Sequence, residues 1–391
     1  MKTAHLITWL LLAIASSLPA KDFAQFEKEV LMTHPRLLAD KLELKSAALE
    51  GERAMLYDNP SVEIETGRFD TKESGADVGW RLGLSQPFRL PTLGDELRDY
   101  AQSLEKVARA TFTDRKSRFR HALRTHYLAW VKAAKTVALQ TEALALCTKL
   151  RTIAYERYEA GAGTKVHAIQ ADLRCRRLAD ALQLQKIQAQ EKKARLAAFA
   201  GLDASDLTPK FLYDRSEIPG QKSVTPAVDR LIARANLQST VAKTEDHLIK
   251  RFTITGEYEK EPDQKIARIA LQLPIPLFNR NRQTYRLAML ASKKEALQAK
   301  YMAQKVAFRK ASLIERFQSL ASLLGRIDEA IERQRSLIAL YEEGYKNARS
   351  GLLELIAAQE GLIDAKKRRL TTRILMDAMR DNLEALQGYT R

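Results

Sequence analysis

The segment YEAGAGTKVHAIQA, residues 158–171, recurs further along the chain as YKNARSGLLELIAA, residues 345–358. The two segments align without a gap at an offset of 187 residues. A second ungapped match at the same offset relates LSQPF, residues 84–88, to LQLPI, residues 271–275. Two matches at one spacing indicate that the chain contains a duplicated structural unit.

Each copy of the repeated segment lies at the turn of a predicted helical hairpin. Residues 95–160 contain neither Gly nor Pro, and a helix of this length would extend for about 100 Å. The small residues of Gly161-Ala-Gly163 predict a turn, and 164–200 predict the return helix. The second copy predicts a helix over about 283–345 and a return helix over 352–386.

Apolar residues near the end of the first long helix are spaced four, three, four and three residues apart, which is typical of a coiled-coil seam. We expect this seam to pack against the return helix 164–200. The seam residues are Leu139, Ala143, Leu146, Leu150 and Ile153.

Two pairs of β-strands precede the hairpins. Alternation of apolar and polar residues predicts strands at about 61–69 and 78–86, and again at about 251–258 and 266–273. Pro87 and Pro91 in the first copy, and the prolines at 274 and 276, are expected to stop the strands and start the helices. A helix is predicted before each pair, over 23–58 and 226–250.

Four strands do not close a barrel, and an open edge in lipid would leave backbone groups unpaired. Three copies would supply twelve strands, an even number typical of outer-membrane barrels. The alternative is a small soluble sheet packed on helices, which short alternating segments do not exclude.

The organisation along the chain follows from these elements. Residues 1–20 have the basic, apolar and small-residue order of a signal peptide, and their apolar run is too short for a membrane-spanning helix. We predict a first repeat over 21–201, a linker over 202–225 in an equatorial region, and a second repeat over 226–391.

Charge and motifs exclude several function classes. The net charge of +17 is spread over helices among acidic residues, without a nucleic-acid-binding motif, so we expect no nucleic-acid partner. No phosphate-binding loop, dinucleotide fingerprint or nucleophile elbow occurs, and the histidines and cysteines form no metal-ligand spacing. We therefore expect no enzyme activity, no cofactor and no metal site.

The two cysteines, Cys147 and Cys175, lie fourteen residues on either side of Gly161. In a hairpin that turns at Gly161 they would lie at the same height on neighbouring helices. A disulfide is one outcome in an oxidising periplasm, and two unbonded thiols buried between the helices are the other.

The duplicated hairpins and long helices resemble the TolC family of outer-membrane efflux proteins over the whole predicted mature chain. The tip motif of that family has an aromatic residue, a Gly three residues later, Ser or Thr after six and Asp after nine. The first copy matches with Tyr158, Gly161 and Thr164 but has His167 at the Asp position. In the second copy these positions hold Tyr345, Ala348, Gly351 and Glu354.

The resemblance implies roles for these tip residues. A periplasmic adaptor would dock at a surface formed by Tyr158, Gly161, Gly163, Thr164, Ala348 and Gly351. The gate would comprise Glu354 as an acidic ring with Tyr345 and His167, and tyrosines 158 and 345 would form the latch. A carboxylate ring on a narrow axis would select cations.

The segment LPIPLFNRNRQ, residues 273–283, resembles the heavy-metal branch of the family. The fold expected is mainly α with a small β part, and the trimer would form a 12-stranded barrel on a periplasmic helical barrel. The implied function is that of an outer-membrane channel which conducts substrate, metal cations in this branch, and has a periplasmic adaptor and a resistance-nodulation-division pump as partners. The alternatives are a drug or protein secretion duct of the same fold and a periplasmic coiled-coil scaffold without a pore.

Overall fold

The computed structural model describes residues 21–71, 75–213, 218, 225–347 and 349–389, with only the backbone of 69–71 and 75–77. The predicted signal peptide and Ala348 lie outside the described residues. The first repeat comprises α1 (Phe23–Thr33), α2 (Pro35–Met55), β1 (Ser61–Thr71), β2 (Gly75–Arg89), α3 (Pro91–Glu159) and α4 (Lys165–Ala200). The second comprises α5 (Pro226–Glu245), β3 (Arg251–Lys260), β4 (Lys265–Gln272), α6 (Arg282–Lys346) and α7 (Leu352–Gln387).

The chain divides into two compact units. The sheet unit comprises residues 39–114 and 224–305 and contains the four strands. The helical unit comprises residues up to 38, 115–223 and 306–391 and contains the turns of both helical hairpins. Among the described residues, none of the helices is long and apolar enough to cross a membrane.

The strands form one antiparallel sheet in the order β1-β2-β3-β4. Val62 lies opposite Leu84, Leu84 lies opposite Gly256, and Ile254 lies opposite Leu271. The two predicted strand pairs are therefore joined edge to edge through β2 and β3. β2 continues through Pro87, where a stop was predicted, because beyond Ser85 the strand has a neighbour on one side only and tolerates the missing N–H.

One face of this sheet is apolar and lies uncovered in the single chain. Ile64 is 73% exposed and Ile269 is 89% exposed, although both have large aliphatic side chains. Ring contacts across the strands, Trp80 with Tyr258 and Phe88 with Phe252, lie on the same face. The strand residues of this face with exposed apolar side chains include Val62, Ile64, Val78, Trp80, Leu82, Leu84, Phe88, Ile254, Tyr258, Ile269 and Leu271.

The opposite face of the sheet carries charged and hydroxyl side chains. Arg81 forms an ion pair with Glu65 on β1. Arg268 on β4 lies 2.6 Å from Glu259 on β3. The two faces thus have opposite chemistry, as period-two patterning requires when they contact different media.

The core of the helical unit is aromatic. Phe23 of α1 stacks on Tyr127 of α3 with ring centroids 3.8 Å apart, and Phe119 stacks on Phe199 of α4 at 5.2 Å. Tyr127 also receives a hydrogen bond from the backbone N–H of Lys210, so the start of the linker is held against α3. These contacts fix the base from which the hairpins extend.

Beside this core lies a buried ionic cluster, which we call the Arg124 cluster. Arg124 donates to both carboxylate oxygens of Glu27, at 2.5 and 2.9 Å, and to Asp381 at 3.2 Å and Glu384 at 3.1 Å. Asp381 is only 1% exposed. Burial acts to raise the pKa of Glu27, but hydrogen bonds from Arg124 and Arg120 outweigh it and lower that pKa.

Two predictions about the helices were wrong. The helix predicted over 23–58 is broken at His34, whose backbone is extended because Pro35 disfavours the helical conformation in the preceding residue. The part of the seam nearer the tip does not pack on α4 as predicted, since Leu146, Leu150 and Ile153 belong to a cluster with α6 and α7. The small side chain of Cys147 instead contacts α4, where it allows the two helices to approach closely.

Candidate functional site at the tips of the helical hairpins

The first hairpin turns through a glycine-dependent helix end. Gly161 has φ +72°, in the left-handed region that favours glycine. The N–H of Ala162 donates to the carbonyl of Arg157 at 2.9 Å, and that of Gly161 donates to the carbonyl of Tyr158 at 3.0 Å. This pair of hydrogen bonds is the Schellman arrangement, which satisfies carbonyls at the end of α3.

The remaining small residues of this turn have separate structural causes. A Cβ atom at Gly163 would lie 3.2 Å from the backbone of Arg157 and Tyr158, so the close return of the chain favours glycine there. Thr164 caps α4, because its hydroxyl accepts a hydrogen bond from the N–H of His167 at 3.3 Å.

The second hairpin turns differently. The N–H of Arg349 donates to the carbonyl of Gly344 at 2.7 Å, and Gly344 makes room for the side chain of Ser350. Gly351 caps α7 with an ordinary φ of −83°. The exposed carboxylate of Glu354 is folded over Gly351, so a larger residue at 351 would displace that flexible side chain rather than strain the backbone.

Arg157 connects the two turns. Its guanidinium donates to the carbonyl of Ala162 at 2.9 Å and also to the carbonyl of Tyr345. It lies over the Tyr345 ring, 4.5 Å from the centroid, which is a cation–π contact. Tyr345 is 3% exposed, and burial raises the pKa of its hydroxyl while Arg157 opposes that shift. Arg157 of the first repeat therefore binds the carboxyl end of α6 in the second repeat.

These contacts surround a cavity of about 280 Å³. Six of the residues predicted from the sequence line it. Tyr158 and Glu354 are not among its lining residues, and both are exposed. The predicted residues that line the cavity are Gly161, Gly163, Thr164, His167, Tyr345 and Gly351.

Arg157 was not recognised in the sequence, although the repeat contains a signal for it. At the offset of 187 residues Arg157 corresponds to Gly344, the largest change in side-chain size next to the tip motif. The equivalent tyrosines also differ, since Tyr345 is buried and Tyr158 is 40% exposed. A large side chain in one repeat, opposite a glycine at the equivalent position of the other repeat, indicates a contact between the two repeats.

Cys147 and Cys175 form a disulfide between α3 and α4, with Cα atoms 5.6 Å apart. Each cysteine lies fourteen residues from Gly161, and the bond joins the two helices of the first hairpin to each other. The second hairpin has no cysteine. The two hairpins are thus unequal, and the first is covalently closed.

Reduction of this disulfide is expected to lower stability by about 3.5 kcal/mol, since it closes a loop of 28 residues. The measurement is the midpoint of thermal loss of the helical circular-dichroism signal, with and without reductant. The control is Cys147→Ser with Cys175→Ser, whose midpoint is low and does not respond to reductant. Equal midpoints for the original chain under both conditions would contradict the expectation.

No group of three or more His, Cys, Asp or Glu side chains in the described part of the chain is arranged to hold a metal ion. What the geometry provides is a small open cavity lined by Arg157, with the exposed side chain of Glu354 folded over Gly351 at its edge.

Comparison with known proteins agrees with the fold built above. The chain matches the outer membrane protein VceC of Vibrio cholerae with a TM-score of 0.76, 15% identity, and coverage of 94% of this chain and 96% of VceC. It matches CusC, described as forming a transmembrane channel, with a TM-score of 0.77, 13% identity, and coverage of 94% and 92%. The open state of the Neisseria gonorrhoeae MtrE outer membrane channel matches with a TM-score of 0.68, 14% identity, and coverage of 93% and 88%.

No protein-family model matches the sequence, and no curated protein matches it. At these identities the comparisons concern the fold. The fold predicted from the sequence, mainly α with a small β part, is confirmed as that of outer-membrane channels of the TolC type.

Proposed function

We propose that this protein is the outer-membrane channel of a tripartite efflux system, in which three copies form a duct that performs no chemistry of its own. The sheet would cross the outer membrane, and the helical hairpins would lie in the periplasm. An adaptor would bind the hairpin tips, and an inner-membrane pump of the resistance-nodulation-division type would supply the energy.

The observation that carries this proposal is the uncovered apolar face of the four-stranded sheet. Large aliphatic side chains such as Ile64 and Ile269 are more than two thirds exposed, and exposed apolar surface of this extent marks a contact with lipid or with another chain. The opposite face carries Glu65, Arg81 and Arg268, which suits a water-filled lumen. In a barrel, the apolar face would contact lipid on the outside and the charged face would contact water in the lumen.

Strand length supports the same proposal. A tilted strand needs about 9–11 residues to cross the hydrocarbon of a bilayer. β1 has 11 residues, β2 has 15 and β3 has 10, while β4 has 8. A soluble sheet packed on helices would bury one face of these strands, and in this unit the apolar face remains exposed.

The tip geometry supports a gate. Arg157 joins the two hairpins through the carbonyl and the ring of Tyr345, so separating the hairpins would break these contacts. In the trimer, three copies of Glu354 would form the acidic ring at the narrow end. Such a ring favours cations, and the segment 273–283 resembles the heavy-metal branch, so we propose metal cations as the cargo.

The adaptor contact is tested at Gly161. Substitution with Val places a β-branched residue at φ +72°, where L-residues are strained by roughly 1–2 kcal/mol, and adds bulk to the tip surface. We expect Gly161→Val to abolish efflux in cells that have the adaptor and pump, measured as the inhibitory concentrations of divalent metal salts and of a hydrophobic drug.

The matched control is Gly325→Val within α6, where an added Cβ also meets nothing within 4 Å but the position is far from the tip. It should leave efflux unchanged. Both variants must still give a particle of three chains in detergent. Normal efflux by Gly161→Val would contradict docking at this turn, and loss of drug efflux without loss of metal efflux would contradict the proposed cargo.

A further inference from the structure

The two outer edges of the sheet are complementary to each other. Within the described residues, β1 pairs only with β2 and β4 pairs only with β3, so each has one open edge. On the polar face the β1 edge carries acidic Glu63 and Glu65, while the β4 edge carries basic Arg268. On the apolar face, Ile64 of β1 and Leu271 of β4 are both exposed.

The internal repeat supplies a template for joining these edges. β2 and β3 are the facing edges of the two repeated strand pairs, and they pair with Leu84 opposite Gly256. Leu84 of β2 corresponds to Leu271 of β4 at the offset of 187 residues. Leu84 lies opposite Val62 in the first strand pair, and Leu271 lies opposite Ile254 in the second. Val62 of β1 therefore corresponds to Ile254 of β3, an offset of 192 residues.

We propose that β4 of one chain pairs antiparallel with β1 of the neighbouring chain in the trimer, in the register that places Leu271 opposite Ile64. This register follows from the observed pairing of Leu84 on β2 with Gly256 on β3. On β4 of one chain the equivalent of Leu84 is Leu271, 187 positions later. On β1 of the next chain the equivalent of Gly256 is Ile64, 192 positions earlier. The inference rests on the proposed function, since it requires several copies in one barrel, and it adds the exact partners.

The register also keeps the two faces of the sheet continuous from one chain to the next. The exposed aliphatic residues Val62 and Ile64 lie at even-numbered positions on β1, and Ile269 and Leu271 lie at odd-numbered positions on β4. Opposed residues in a sheet lie on the same face, and a slip of one residue would mix the faces. Leu271 opposite Ile64 places Val62 and Ile64 of one chain on the same face as Ile269 and Leu271 of the next.

Charge agrees with the same register. Within one chain the polar face has Glu65 paired with Arg81, and Arg268 contacts the diagonal residue Glu259 as well as Glu257, which lies opposite it. In the proposed register Ala270 lies opposite Glu65, so Arg268 of one copy lies diagonal to Glu65 of the next, within reach of a long side chain. The alternation of acid and base would then continue from copy to copy around the lumen.

Cysteine cross-linking tests this register. The register places Gln272 directly opposite Glu63, and both residues are exposed on the polar face. Opposed Cα atoms lie about 4.5–5.5 Å apart, which a disulfide spans, whereas diagonal neighbours at about 7–8 Å are too distant. Inside one chain β1 and β4 are three strand spacings apart, about 14 Å, so any bond joins two copies.

The experiment uses the full chain in outer-membrane fractions treated with a mild oxidant. The test variant carries Glu63→Cys with Gln272→Cys. The matched controls represent slips of two residues and carry Glu65→Cys with Gln272→Cys, or Glu63→Cys with Ala270→Cys. We expect most of the test variant to migrate as covalent dimer and trimer in denaturing electrophoresis, and both controls to remain mostly monomeric.

The outcomes separate the register from the proposed function. Cross-linking of a control pair in place of the test pair would overturn the register and leave the shared barrel standing. No cross-linking in a detergent particle that contains three chains would also overturn the register alone. No cross-linking in a particle of one chain would overturn both the register and the proposed channel.

Discussion

Replacement of Arg157 by alanine is expected to open the channel at its periplasmic end. The guanidinium donates to the carbonyls of Ala162 and Tyr345 and lies on the Tyr345 ring. Charged hydrogen bonds and a cation–π contact together stabilise a partly buried link by about 2 kcal/mol or more. Loss of that amount shifts a closed–open equilibrium roughly thirtyfold in each copy.

Conductance in planar bilayers and susceptibility of cells to a large antibiotic that the outer membrane excludes measure this opening. The control is Arg151→Ala, which removes a guanidinium of the same helix that pairs with Asp172 of α4 inside the first hairpin at 3.4 Å. We expect the control to stay closed. If Arg157→Ala has the conductance of the unmodified chain, the contact with Tyr345 does not hold the gate.

Arg124→Met is expected to cause the largest loss of stability, about 3–5 kcal/mol, because it leaves buried carboxylates without their central cation. The guanidinium contacts Glu27, Asp381 and Glu384, and all three side chains are largely shielded from water. Methionine has a similar volume, so the loss reports charge more than packing.

The thermal midpoint of the helical circular-dichroism signal at pH 7 measures this loss. Arg109→Met is the control, because Arg109 pairs with Glu105 on the surface of the same helix with 74% of its side chain exposed, and such pairs contribute at most about 1 kcal/mol. Similar midpoints for both variants would show that the Arg124 cluster does not stabilise the helical unit.

The fold was predictable because it is periodic and duplicated. Alternation of apolar and polar residues predicted strands that begin where β1 and β3 begin, at Ser61 and Arg251. The ungapped repeat with glycine at one turn predicted both hairpins. Periodicity and turn chemistry act over a few residues, so they can be read from one sequence.

The contacts between the copies of the repeat were not predictable in the same way. The seam on α3 shows an apolar stripe, but the stripe does not specify whether α4 or the second hairpin covers it, and the structure shows the latter for Leu146, Leu150 and Ile153. Arg157 is one of many arginines on these helices, and only the position of Tyr345 in space gives it a partner.

The cysteines illustrate an intermediate case. Their equal distance from Gly161 placed them at one height but did not decide between a disulfide and two thiols. The structure brings the two Cα atoms to 5.6 Å with a bond between the sulfur atoms. The rotation of each helix about its axis decides whether the two sulfur atoms face each other, and the spacing from a turn does not define that rotation.

The mass of the detergent-extracted particle from fractionated cell envelopes tests the central claim most directly. A particle of three chains recovered from the outer membrane is the predicted result, since one sheet with two open edges requires partners in lipid. A monomer recovered from the soluble periplasmic fraction would contradict the channel and leave the uncovered apolar face of the sheet to be explained by another partner.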